Sequence, residues 1–166
     1  MLALILVIVG ISFRFIPHLA NFSPLLAIAL FGGVYLKRRY ALIVPVALMM
    51  LTDIFLGMHS AIAFTWGSII LISALGITLR KKKNTLSIIT GTIGSAVLFF
   101  IITNFGVWAA GWYPKTLSGL VSCYTLAIPF FRSTLVSTTV FSFVFFGVYE
   151  LVARRVKDSS LAGALL

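Results

Sequence analysis

Acidic residues are nearly absent from this chain. Only Asp53, Glu150 and Asp158 are acidic, against thirteen lysines and arginines, and charged residues make up 10% of the sequence. Soluble domains carry about 25% charged residues. This chain is instead 61% hydrophobic, with a mean hydropathy of +1.15. The shortage of charge excludes a soluble globular domain and indicates an integral membrane protein.

Cysteine and catalytic motifs are also scarce. Cys123 is the only cysteine, so an intramolecular disulfide and a cysteine-rich metal site are both excluded. The sequence has no phosphate-binding glycine loop, no Ser–His–Asp arrangement, no HExxH motif and no paired carboxylates. We therefore expect no enzyme activity, and the residues identify no cofactor. His18 and His59 without a third ligand are only a weak signal for a metal site.

The basic residues that are present form three clusters. These are Lys37–Arg39, Arg80–Lys83 and Arg154–Lys157, and each one ends an apolar run. This arrangement is typical of the cytoplasmic loops of membrane proteins. A protein that binds nucleic acid would distribute its basic residues among polar ones on a folded face. We therefore expect a lipid bilayer, and no nucleic acid, as a partner.

The apolar runs predict an all-α membrane protein of a single domain with six transmembrane helices, because a crossing needs roughly 20 apolar residues. The predicted spans are residues 1–16, 23–36, 40–56, 61–79, 86–110 and 133–153. The first two are short and are expected to lie nearly upright or in thinned bilayer. Segment 111–132 has an apolar middle too short to cross, so it is expected to lie in the interface as an outer lid.

The distribution of charge predicts the orientation. With both termini in the cytoplasm, ten basic residues lie inside, and only Arg14, Lys115 and Arg132 lie outside. The first run lacks a basic n-region and a cleavage site, so we expect it to remain as a span. The predicted location is the bacterial inner membrane.

Polar and aromatic residues gather at the predicted outer end. The residues expected to line or gate a ligand pocket there are Arg14, Asp53, Asn104, Trp108, Trp112, Tyr113, Tyr124 and Arg132. Asp53 inside a span requires a partner, and Arg14 or Arg132 lies at a matching depth. The alternatives are an Arg–Asp pair that only locks helix packing and a pair that locks packing and also lines the cavity.

The other candidates also have structural interpretations. Asn104 requires a hydrogen-bond partner on another helix, which makes it either a packing residue or a ligand contact. Trp108, Trp112 and Tyr113 lie where an aromatic belt is expected. They are spaced more closely than a belt requires, and aromatic walls are common in small-molecule pockets. Cys123 is either an inert packing residue or a ligand to a metal or cofactor.

Several motifs together resemble a known group of proteins. They are Asn21–Pro24 with Ala27–Gly33, Asp53 with Leu56-Gly57, Thr103–Trp108, Tyr113–Leu120, Cys123-Tyr124 and Ala127–Phe131. The chain is similar to an uncharacterised family of small bacterial membrane proteins akin to the substrate-binding S-components of energy-coupling-factor (ECF) transporters. The resemblance implies six helices, cytoplasmic termini and an outer ligand pocket closed by loops. The first span lacks the Ala-xxx-Ala pattern with which S-components dock their coupling subunit.

These observations favour a membrane substrate-binding or uptake protein for a small vitamin-like or metal-containing molecule. The alternative is a non-catalytic accessory subunit that binds neighbouring membrane subunits, lipids or pigments. A cavity of about 300 Å³ or more beside Arg14, Asp53 and Asn104 would favour ligand binding. Mutual pairing of these residues without a void would favour the accessory subunit.

Overall fold

The computed structural model describes residues 1–16, 20–157, 159 and 162–165, and the fold is all-α. Pro17 and His18, which were expected to end the first span and enter an outer loop, lie outside the described residues. The helices are α1 (Leu2–Ser12), continued by a 3-10 turn (Phe13–Phe15), α2 (Leu25–Tyr35), α3 (Arg38–Leu56), α4 (Ile62–Leu79), α5 (Thr85–Ala109), α6 (Leu117–Leu126), α7 (Ile128–Val156) and the short α8 (Ala162–Leu165).

Four of these helices, α3, α4, α5 and α7, are long and apolar enough to cross a membrane. Helix α1 with its 3-10 turn, α2 and α6 are apolar but shorter than a crossing usually requires. The structure thus agrees with a membrane protein that has four candidate spans by length and composition. The count of six crossings stays a prediction.

The segment expected to form an outer lid contains more helix than the sequence suggested. Helix α6 begins after Thr116, whose side chain accepts a hydrogen bond from the N–H of Gly119 at 3.1 Å and so caps the helix. Helix α7 begins at Ile128, five residues before the predicted start at 133. Pro129 lies in the first turn of α7, where its missing N–H does not cost a helical hydrogen bond.

Helix α2 is the centre of the bundle. It contacts α1, α3, α4, α5 and α7, and ten of its eleven residues, Leu25 to Val34, are buried. Its sequence is apolar on every side, which is the pattern of a helix surrounded by protein or lipid. Phe31 packs against the rings of Phe145 and Phe146 of α7, with ring centroids 5.9 and 5.3 Å apart.

Helices α2 and α4 approach so closely that only glycine fits at their contact. A Cβ atom built on Gly33 would lie 2.4 Å from the carbonyl oxygen of Ser73 and 2.7 Å from Cα of Gly76. A Cβ atom on Gly76 would lie 2.4 Å from the carbonyl oxygen of Leu30. The obstacles are backbone atoms, so a side-chain rotation cannot relieve the clash.

One end of the bundle, which we call the basic end, is held by Arg80 and its neighbours. Arg80 donates from Nε to the carbonyl of Gly33 at 2.6 Å and from Nη2 to that of Leu36 at 2.5 Å, so it caps the last turn of α2. Burial, and then the nearby Arg38, lower the pKa of the Arg80 guanidinium. The first residue of α3 and the residue after α4 therefore meet at the basic end.

A carboxylate also lies near the basic end. The hydroxyl of Tyr35 donates to Glu150 Oε1 at 2.5 Å, and the ammonium of Lys83 lies 4.8 Å from the centre of the Tyr35 ring. These contacts connect α2, the turn before α5 and the last part of α7. Glu150 was not expected to have a structural role, and here it anchors α7 to α2.

We predict that Gly33→Ala destabilises the protein by at least about 2 kcal/mol, because the added methyl group overpacks two backbones in contact. The measurement is thermal unfolding of the purified protein in detergent. The control is Gly147→Ala on α7, where no atom lies within 4 Å of the added Cβ and the higher helix propensity of alanine should preserve stability. Equal stability of the two variants would contradict the α2–α4 contact.

Candidate functional site

A cavity of about 530 Å³ lies at the opposite end of the bundle from Arg80, and we call this the cavity end. Its lining is mostly apolar, with polar side chains from five helices and the loops between them. The polar lining residues are Arg14, Asn21, Ser23, Asp53, His59, Thr65, Thr103, Asn104, Tyr113, Cys123 and Thr134. The apolar lining includes Leu25, Leu26, Met49, Leu56, Phe99, Phe100, Val107, Leu126, Phe130 and Phe131.

The cavity exists because the central helix is short. Eleven residues of α2 rise about 16 Å, whereas the neighbouring helices α3, α5 and α7 rise about 28 Å or more. Arg80 fixes the end of α2 at the basic end, so the start of α2 falls short of the cavity end. Leu25 and Leu26 in the first turn of α2 consequently form the cavity floor.

Arg14 and Asp53 form an ion pair in the cavity wall. Nη2 of Arg14 donates to Oδ1 of Asp53 at 2.9 Å, and the side chains are 14% and 4% exposed. The second carboxylate oxygen, Oδ2, accepts from Nε1 of Trp66 at 2.8 Å. Both oxygens of Asp53 are therefore occupied, and the pair joins the end of α1 to α3 and α4. Of the two partners that the sequence allowed for Asp53, the structure pairs it with Arg14.

The other guanidinium nitrogen of Arg14 is also held. Nη1 donates to Oγ1 of Thr52 and lies 2.9 Å from the sulfur of Met49. Thr52 donates in turn to the carbonyls of Leu48 and Met49, so it orients its free lone pairs toward the arginine. Arg14 is fixed in place by α3 without a bound ligand.

Asn104 presents a free acceptor at the cavity. Its Nδ2 donates to the carbonyl of Phe100 on its own helix at 2.8 Å, where the sequence predicted a partner on another helix. Its side-chain oxygen Oδ1 has no hydrogen-bond partner among the described residues. A half-buried amide oxygen that faces a cavity is suited to accept a hydrogen bond from a ligand.

Helix α6 covers one side of the cavity. The hydroxyl of Tyr124 donates to the carbonyl of Ile101 at 2.6 Å, and the thiol of Cys123 donates to the carbonyl of Asn104 at 3.4 Å. Both contacts join α6 to α5. Burial raises the pKa of the Cys123 thiol, which favours a neutral packing residue over a metal-binding thiolate. Among the described residues, no group of three or more histidine, cysteine or acidic side chains is arranged for a metal ion.

Four of the eight residues that the sequence indicated line the cavity, namely Arg14, Asp53, Asn104 and Tyr113. The other four lie outside its lining, where they hold the loops or face outward. Trp108 donates to the carbonyl of Pro114 at 3.0 Å. Trp112 is 70% exposed and donates to Ser60 Oγ at 2.8 Å. Tyr124 donates to the carbonyl of Ile101, and Arg132 is exposed.

Sequence reasoning missed Trp66 and the two phenylalanines of α5. Trp66 lies inside a predicted span, where its indole N–H requires an acceptor, and Asp53 in the preceding span is a strong one. That requirement was the available signal. Phe99 and Phe100 gave no signal, because phenylalanine is common throughout this chain and its direction depends on helix rotation.

We predict that Asp53→Asn destabilises the protein by about 3 kcal/mol, because it leaves the charge of Arg14 without a partner in a partly buried site. The double variant Arg14→Gln/Asp53→Asn should recover part of this loss. The measurement is a double-mutant cycle from thermal unfolding in detergent.

Arg132→Gln is the matched control, since Arg132 is exposed and does not pair with Asp53. It should leave stability nearly unchanged and show no coupling to Asp53→Asn. Additive losses for Arg14 and Asp53 would refute the ion pair.

Comparison with known proteins gives a family but no activity. Residues 1–161 match the sequence pattern of a family of unknown function, DUF6580. No curated protein and no solved structure matches the chain.

Proposed function

This chain belongs to the DUF6580 family, whose function is unknown, and we propose from the site itself that it is a membrane substrate-binding or uptake protein. It binds a small vitamin-like or metal-containing molecule in the cavity near the outer face of the bacterial inner membrane. In this function it resembles the S-components of ECF transporters. The cavity beside Arg14, Asp53 and Asn104 is the observation on which the proposal rests.

The size and chemistry of the cavity support ligand binding. Small-molecule sites measure about 300–1,000 Å³ and combine apolar, aromatic walls with a few polar groups. The cavity of about 530 Å³ falls within this range and has that composition. An accessory subunit would need the Arg14–Asp53 pair for packing but would not need a void beside it. The pair is better explained as a packing contact that is also part of a binding wall.

The directions of the helices support six crossings. Helix α1 ends near Arg14 at the cavity end, α2 ends at the basic end, and α3 returns to the cavity end at Asp53. Helix α4 ends at Arg80, α5 returns to Asn104, and α7 passes to Glu150 near the basic end. We propose that α1 and α2 cross together with the chain that flanks them, and that α6 stays at the outer face.

The proposed orientation places the basic end in the cytoplasm, because cytoplasmic loops are enriched in lysine and arginine. The ligand then enters from the outside. The ends of α3, α5 and α7 open around the cavity, while the buried helix α2 blocks the path below it. Transfer across the membrane therefore requires the whole bundle to tilt, because α2 leaves no continuous channel.

We predict that a single cysteine at Lys82 is protected from a membrane-impermeant maleimide in intact cells, whereas one at Lys115 is labelled. Both positions are exposed, and Cys123→Ala provides the background without native thiols. Lys82→Cys should react only after the cells are opened. The reverse labelling pattern would overturn the orientation and the outward-facing cavity.

We predict that Val107→Trp removes a ligand that co-purifies with the wild-type protein, because Val107 lines the cavity and the larger ring fills it. The measurement is mass spectrometry of small molecules extracted from protein purified in mild detergent. Occupancy should fall by at least about tenfold, which corresponds to the loss of one or more good contacts.

The matched control is Val97→Trp on the same helix, where Val97 is 39% exposed and faces away from the cavity. It should retain the ligand at the wild-type level. Both variants are compared only if their gel-filtration profiles match that of the wild type. Identical extracts from the wild type and Val107→Trp would refute binding in this cavity.

A further inference from the structure

We propose that the ligand carries no net charge and presents a flat ring to the cavity. This inference deepens the proposed function and rests on it. It names the class of molecule that the cavity accepts, namely an uncharged aromatic compound with at least one hydrogen-bond donor. Three features of the wall carry the inference: its balanced charge, its phenylalanine rings and the free acceptor of Asn104.

The charge of the wall is balanced before any ligand binds. Among the described residues that line the cavity, Arg14 and Asp53 are the only arginine, lysine, aspartate or glutamate residues. They neutralise each other at 2.9 Å, and Trp66 occupies the remaining carboxylate oxygen. His59 also lines the cavity, but it is exposed, so solvent and salt screen it.

A charged ligand would find no unpaired arginine, lysine, aspartate or glutamate among the described residues of this wall. It would lose its hydration on entering a low-dielectric site, and that loss is large unless a partner replaces the water. To recruit Arg14, an anion would have to displace Asp53 and leave that carboxylate buried without its cation. To recruit Asp53, a cation would have to displace Arg14. A neutral ligand avoids both costs.

The apolar part of the wall favours a ring. Phe99 and Phe100 of α5 and Phe130 and Phe131 of α7 line the cavity. The rings of Phe100 and Phe131 lie 4.8 Å apart at an interplanar angle of 47°, so the two helices contribute to one aromatic surface. Aromatic surfaces bind flat rings through offset or edge contacts in addition to the burial of area.

The free acceptor of Asn104 indicates one point at which the ligand is polar. Oδ1 of Asn104 accepts, so the ligand donates an N–H or O–H there. A neutral amide or lactam on a ring can donate to this oxygen.

The test uses three probes of nearly the same shape: 1-naphthaleneacetamide, which is neutral, 1-naphthaleneacetate, an anion, and 2-(1-naphthyl)ethylamine, a cation. Their binding to the protein, purified in detergent and stripped of any bound molecule, is measured by equilibrium dialysis. The wild type should bind the amide at least about tenfold more tightly than either charged probe. Asn104→Leu should weaken binding of the amide by about tenfold. It should leave the ratio of the affinities for the acetate and the amine unchanged.

Charge variants sharpen the test. Asp53→Asn leaves an uncompensated Arg14 and should shift the preference toward the acetate by about tenfold, whereas Arg14→Gln should shift it toward the amine. The double variant Arg14→Gln/Asp53→Asn should restore the preference for the amide, and Arg132→Gln should not change it. The wild-type and Arg132→Gln measurements remain decisive if a single variant fails to fold.

The two levels of the proposal fail differently. If the wild type binds a charged probe as tightly as the amide, the inference of a neutral ligand is overturned, and the binding function stands. If the wild type binds none of the three probes and no small molecule co-purifies with it, the binding function is overturned together with the inference.

Discussion

The structure depends on the complete enclosure of one short helix. Helix α2 contacts five others and buries nearly its whole length, and it meets α4 through glycine against glycine at Gly33 and Gly76. Close backbone contact of this kind is a common way for helices to associate in a membrane. Lipid tails are as apolar as the side chains, so the hydrophobic effect does not drive the helices together there. The other helices pack around α2. The cavity lies at the end where α2 begins.

Helix α2 cannot slide along the bundle to fill the cavity, because its end at the basic end is held in place. At the basic end, Arg80 holds the carbonyls of Gly33 and Leu36, and Tyr35 is bonded to Glu150. At the cavity end the longer neighbours continue past it. A gap of this origin is set by helix length and not by loose packing. It is therefore a stable feature of the fold.

The ion pair of Arg14 and Asp53 serves the fold and the site together. It crosses from α1 to α3, and Trp66 extends the network to α4, so three helices are joined at one depth. Because each charge is satisfied inside the protein, the wall is polar without being charged overall. A buried ionic group without such a partner would be expensive at this depth. In the proposed function, the same compensation that stabilises the bundle restricts the charge of the ligand.

The sequence by itself indicated the membrane class, most of the helical segments, the concentration of polar residues at one end and the need of Asp53 for an arginine partner. These properties follow from local composition and from the cost of placing a charge in lipid. Both can be read from a short stretch of sequence. It also indicated four residues of the cavity wall.

Only the tertiary structure decided which arginine pairs with Asp53, that Trp66 completes the pair, and that Trp108, Trp112 and Tyr124 hold loops and the lid helix. It also showed that α2 is the enclosed helix and that the phenylalanines of α5 and α7 form one wall. These features depend on helix rotation and on the relative heights of neighbours. In a sequence that is apolar on nearly every face, the hydrophobic pattern specifies neither.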